Sequence, residues 1–145
     1  MTAEVCVRGT WLKEKGLPSD LIKGCAPIST SIVVGDPEAA LGGGVYATRK
    51  AEGNAYVADP ALRQEADPLQ NIDTAPPVVF FSAGTGEAIL HDSPQLFVIR
   101  LKEMGSQADF LILEDHDHAD TALVLGDAES FLFLEIMRMF GQNYR

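Results

Sequence analysis

Several residue types are too scarce in this chain for the work they usually do. Only two cysteines, Cys6 and Cys25, occur in 145 residues, too few for a disulfide framework. Both are expected to be small apolar core residues, with a single bridge as the alternative. Basic residues number 11 against 21 acidic ones, a net charge of −10. A phosphate backbone needs basic neutralisation, so this balance argues against nucleic acid and against anionic membrane surfaces as partners. No apolar run approaches the length of a membrane span. The N-terminus has no basic stretch followed by an apolar one. A reducing, cytoplasmic setting is the expectation. Histidine is limited to His91, His116 and His118.

What remains is ordinary globular material. Hydrophobic residues make up 46% and charged residues 22%, and the length suits one domain. Residues 2–15 read as a helix, with Trp11 as a core residue and Gly16 as the stop. An apolar stretch at 21–29 reads as a short strand interrupted by Pro27. Residues 30–69 form an irregular segment of loop and short helix, broken by Gly35-Asp36-Pro37 and Gly42-Gly43-Gly44. Inside it, Asp59 and Pro60 open a helix. The continuous apolar run at 78–82 predicts a buried strand. A helix follows from Asp92 or Ser93, with Phe97, Leu101 and Met104 on its inner face and Gly105 as its stop. A strand at 110–113 comes next. Asp127 caps a last helix carrying Phe133, Ile136, Met137 and Phe140. Strands alternating with helices imply an α/β fold: a short parallel sheet of about three strands with flanking helices.

Two of these strands run into polar turns. The first turn carries Glu87; the second carries Asp115-His116-Asp117-His118. In open α/β sheets, functional groups collect beyond the carboxyl ends of the strands. Sequential parallel strands usually neighbour one another. Glu87 is therefore expected to face a histidine and to orient it as a base.

The run Ala75-Pro76-Pro77-Val78-Val79-Phe80-Phe81-Ser82-Ala83-Gly84, then Glu87-Ala88-Ile89-Leu90-His91-Asp92-Ser93, resembles the acid-bearing region of α/β-hydrolase esterases and lipases. The hormone-sensitive-lipase-like and arylformamidase-like branches are the nearest in pattern. Asp115-His116-Asp117-His118, followed by Leu125-Gly126-Asp127-Ala128-Glu129-Ser130, is similar to their catalytic-histidine region. Ala55-Tyr56-Val57-Ala58-Asp59-Pro60-Ala61 is similar to the segment before the acid strand. The resemblance covers nearly the whole chain, read as the C-terminal part of an α/β-hydrolase fold. It implies a serine hydrolase acting on carboxylic esters or related acyl compounds. His118 matches the family's base. The family's acid position falls at Gly86 or Glu87, of which only Glu87 is a carboxylate. The resemblance implies no cofactor.

The chain departs from that family at the nucleophile. No serine stands in the Gly-x-Ser-x-Gly arrangement that sets a hydroxyl on a strand-to-helix elbow. Ser29 and Ser31 follow a strand without the flanking small residues. Residues 1–16 would match the helix just after the elbow, as though the sequence begins too late to hold its nucleophile. The chain alone is expected to be inactive on a small-molecule ester substrate. Homo-oligomer formation through an exposed sheet edge is also expected. Two other classes stand beside this one. The first is a non-catalytic binding or interaction module on the same scaffold. The second is a metal-binding protein using the His-x-His spacing of His116 and His118. His91 reads as a surface residue and Asp92 as a cap.

Overall fold

A central strand covered on both faces has no use for alternating polarity, and Val78-Val79-Phe80-Phe81 shows none. It becomes β2 (Val78–Gly84), buried at every position. It pairs in parallel with β1 (Gly24–Cys25) on one side and with β3 (Gln107–Leu113) on the other. The sheet order is β1-β2-β3. The computed structural model describes residues 2–30, 59–90 and 92–141. Segment 31–58, with Ser31 and the triple glycine, lies outside the described residues, as does His91.

Among the described residues the helices are, in chain order, α1 (Thr2–Val7), α2 (Gly9–Glu14), α3 (Pro60–Ala66), α4 (Asp92–Glu103), α5 (His118–Val124) and α6 (Phe131–Gly141). Parallel strands cannot be joined by a tight turn, and α4 provides the crossover between β2 and β3. Alternate side chains of β2 point to opposite faces. Val79 and Phe81 pack with Phe97 and Leu101 of α4 and with Cys6 and Val7 of α1. The Phe81 and Phe97 rings meet edge to face, with centroids 5.4 Å apart. Val78 and Phe80 pack on the other side with Leu132 and Met139 of α6. The result is a three-layer α/β arrangement around a three-stranded parallel sheet.

Several local expectations need correction. The single N-terminal helix is two helices that break at Arg8. The carboxylate of Asp73 causes the break by accepting from the Gly9 N–H at 2.6 Å and the Thr10 hydroxyl at 2.5 Å. It thereby caps α2 from a distant segment. Trp11 is not a core residue; it is 37% exposed, with the Arg8 guanidinium 4.6 Å above its ring. The strand expected over 21–29 shrinks to two residues and one further bridge, Ile28 to Ser82, because Pro27 has no N–H to donate. Met104 is exposed, beyond the last turn of α4. The buried stripe of α6 is Leu132 and Met139, flanked by Ile136 and Phe140, whereas Met137 is half exposed. Ser130, not Asp127, caps α6, its hydroxyl accepting from the Phe133 N–H at 3.1 Å.

Cys6 and Cys25 are not separate thiols; a disulfide joins α1 to β1. Among the described residues, no helix is long and apolar enough to cross a membrane.

Candidate active site

The parallel register pairs Gly84 with Leu113, so β2 and β3 end at a common rim. Beyond β2 the chain turns through a 3-10 segment, Thr85–Leu90, that is broken at Glu87. Beyond β3 it passes through Glu114 to Asp117 and enters α5 at His118. The two turns are tied together. The Asp115 N–H donates to the Thr85 hydroxyl at 2.9 Å, and the Gly86 N–H donates to the His116 carbonyl at 3.1 Å. Asp115 takes a left-handed φ of 59° to make this corner, a conformation that aspartate tolerates better than most residues. Gly84 is needed for the close approach, because a Cβ there would overlap the His116 carbonyl.

This packing brings Glu87 and His118 together. Glu87 is 6% exposed, and its Oε1 lies 2.7 Å from His118 Nδ1. Its other oxygen, Oε2, accepts from the Gly84 N–H at 2.8 Å and from the Ser29 hydroxyl at 2.7 Å. Thr121 Oγ1 stands 3.4 Å from the same oxygen, but its proton goes to the Asp117 carbonyl at 2.7 Å. Thr121 is therefore a close neighbour of the carboxylate and a weak partner at most.

Burial by itself pushes the Glu87 carboxyl up. The hydrogen bonds from Gly84, Ser29 and His118, with the charge of His118, outweigh it and hold the group below the ordinary carboxylate range. An ionised carboxylate only accepts hydrogen bonds, so His118 Nδ1 must be the donor. On the neutral ring this leaves Nε2 as an acceptor. The His118 side chain is 76% exposed, so that nitrogen belongs to the open side of the pair.

His116 is differently occupied. Its Nδ1 lies 2.6 Å from the Glu114 carbonyl, which can only accept. His116 also lines an open cavity of about 330 Å³ with Asp115, Asp120, Leu123, Val124 and Asp127. Among the described residues, no three His, Cys, Asp or Glu side chains are placed to hold a metal ion. Of the neighbours Gly86 and Glu87, Gly86 contributes its backbone N–H to the tie between the turns, and Glu87 is the carboxylate that meets the histidine.

Two features escaped the sequence reading. The first is α5, which places His118. Its signal was present in Asp117 and Asp120, which form a reciprocal capping box at its start. The His-x-His spacing drew attention to an extended loop instead. The second is Ser29, which has no local signal. Its contact with Glu87 spans 58 residues of sequence and exists only because β1 lies beside β2. Ser82, inside β2, has a buried hydroxyl with no hydrogen-bond partner among the described residues.

No protein-family model, curated protein or solved structure matches this chain.

Proposed function

We propose that this chain is an α/β-hydrolase-like protein carrying the acid and base of an acyl-transfer site, with Glu87 orienting His118 for hydrolysis of carboxylic esters. The observation that carries the reading is the 2.7 Å contact between the buried Glu87 carboxylate and His118 Nδ1. The carboxylate fixes the tautomer and stabilises the imidazolium that forms when Nε2 takes a proton. The attacking hydroxyl is not supplied by a Gly-x-Ser-x-Gly elbow, since the sequence has none. It must reach Nε2 from a separate element or a second polypeptide. The chain by itself then turns over esters negligibly, because loss of a nucleophile costs on the order of 10⁶ in rate in one serine protease.

An added alcohol can stand in for the missing nucleophile. With p-nitrophenyl acetate and trifluoroethanol, the chain is expected to speed alcoholysis roughly tenfold over His118→Ala. That is below the ~10²–10⁴ of a positioned general base, because nothing orients the alcohol. Equal rates for the two proteins would remove His118 from the role of base.

A second reading, a non-catalytic interaction module, is favoured by one observation. Leu123 of α5 and Phe131, Leu134 and Met137 of α6 are all more than half exposed. Exposed apolar side chains in such number mark association surfaces.

A further inference from the structure

The disulfide and the candidate site are linked through five residues. Cys25 ends β1, and the chain continues through Ala26, Pro27 and Ile28 to Ser29. Along this stretch the Ser82 N–H donates to the Pro27 carbonyl at 3.2 Å, and the Ser29 N–H donates to the Ser82 carbonyl at 2.8 Å. Ser29 sits at a φ of 45°, a left-handed conformation that costs a non-glycine residue energy and persists only where the surroundings enforce it. It is held there with its hydroxyl 2.7 Å from Glu87 Oε2.

The enforcement from β1 is slight. This strand has two residues, pairs among the described residues with β2 alone, and is joined to the short helix α1 through Cys6. Cys6 is buried in the core cluster with Val79 and Phe81, whereas Cys25 is partly exposed. The bridge therefore fixes a two-residue strand, at the edge of the sheet among the described residues, to the core, and Ser29 is the downstream end of that strand's extension.

We propose that Ser29 is a positioning residue for Glu87, and that the Cys6–Cys25 bridge sets its place so that reduction by a dithiol loosens the grip on the acid. The proposal rests on the reading of Glu87 and His118 as an acid–base pair, and it names a regulation of that pair. The exchange is balanced. A thiolate of the dithiol attacks Cys25 Sγ, the bond to Cys6 Sγ breaks, and Cys6 leaves as a thiolate that takes a proton. The second thiol of the dithiol then attacks the mixed disulfide and frees Cys25. Two electrons and two protons pass to the protein, and the dithiol becomes a cyclic disulfide. In a cytoplasmic setting the bridge would stand reduced and the acid loosely held. An oxidising setting would close it.

Among the described residues, the groups facing Glu87 are Ser29, the Gly84 N–H, Thr121 and His118, of which His118 alone is ionisable. The experiment is a carbon-13 titration of the Glu87 carboxyl in the whole chain, oxidised and then reduced with dithiothreitol, with both thiols confirmed by alkylation and mass measurement. Reduction is expected to move the Glu87 midpoint upward. Ser29→Gly is expected to do the same in the oxidised protein and to abolish the response to reduction. Glycine suits the left-handed backbone, so a purely structural Ser29 would leave the midpoint in place while stability held or rose. An unchanged midpoint after complete reduction, in a chain that still unfolds cooperatively, would overturn the proposal. So would a response to reduction that survives in Ser29→Gly. The readout is a titration and not turnover, so its failure is distinct from a failure of the alcoholysis assay.

Discussion

Glu87→Ala is expected to lower stability by roughly 3 kcal/mol, because it removes a charged acceptor and leaves a buried N–H and a half-buried hydroxyl without it. The Gly84 N–H and the Ser29 hydroxyl both aim at the vacated Oε2 position, and His118 Nδ1 loses its acceptor. Hydrogen bonds to a charged group contribute more than neutral ones, and an orphaned buried donor carries its full desolvation penalty. For a chain of this length that loss corresponds to a fall of about 10 °C in Tm. Differential scanning calorimetry reads it directly. The same group sets an acid limb. Glu87 titrates lower in the folded chain than in the unfolded one, so its stabilisation is fully present above the unfolded value. It is lost as pH falls through the folded value. Glu87→Ala should flatten that limb of the stability curve. A loss under about 1 kcal/mol with an unchanged acid limb would mean that the carboxylate is solvated and not held as described.

Gly84→Ala is the second large effect. The added Cβ would strike the His116 carbonyl, a backbone atom that cannot rotate away. Relief requires the 114–117 turn to move, which withdraws His118 from Glu87. Forced overpacking of this kind typically costs about 1–3 kcal/mol, and the rigid obstacle places this case at the upper end. Gly86→Ala is the internal comparison. Its new Cβ would lie 3.3 Å from the same carbonyl at an exposed position, so less than about 1 kcal/mol is expected there. Urea denaturation should show a lowered midpoint with unchanged slope for Gly84→Ala and little change for Gly86→Ala. Equal midpoints for the two variants would mean that the turn accommodates a methyl group at either glycine.

The legible part of the fold was the part governed by local pattern. The apolar run of β2, the Asp59-Pro60 opening of α3 and the stops at Gly16 and Gly105 all follow from periodicity and turn chemistry. Both of those glycines adopt positive φ, at 73° and 92°. The juxtaposition of the two turns was legible as well, because parallel neighbours carry their carboxyl ends to the same rim. The illegible parts depend on distant residues. Asp73 breaks the N-terminal helix across 64 residues of sequence. Cys25 pairs with Cys6 only after β1 has docked beside α1. Ser29 reaches Glu87 only after β1 has docked beside β2. Trp11 and Met137 read as core from helical spacing, but a helix face is chosen by its partners. The faces of α2 and α6 turned those side chains outward.

Glu87 holds one nitrogen of His118, and the chemistry of the site depends on that contact. Long-range nitrogen-15 correlation spectra of the neutral His118 ring test this directly, in the native chain and in Glu87→Gln. A proton resident on Nδ1 in the native chain, with Nε2 bare and the preference lost or reversed in Glu87→Gln, is the predicted result. The same tautomer balance in both proteins would contradict it.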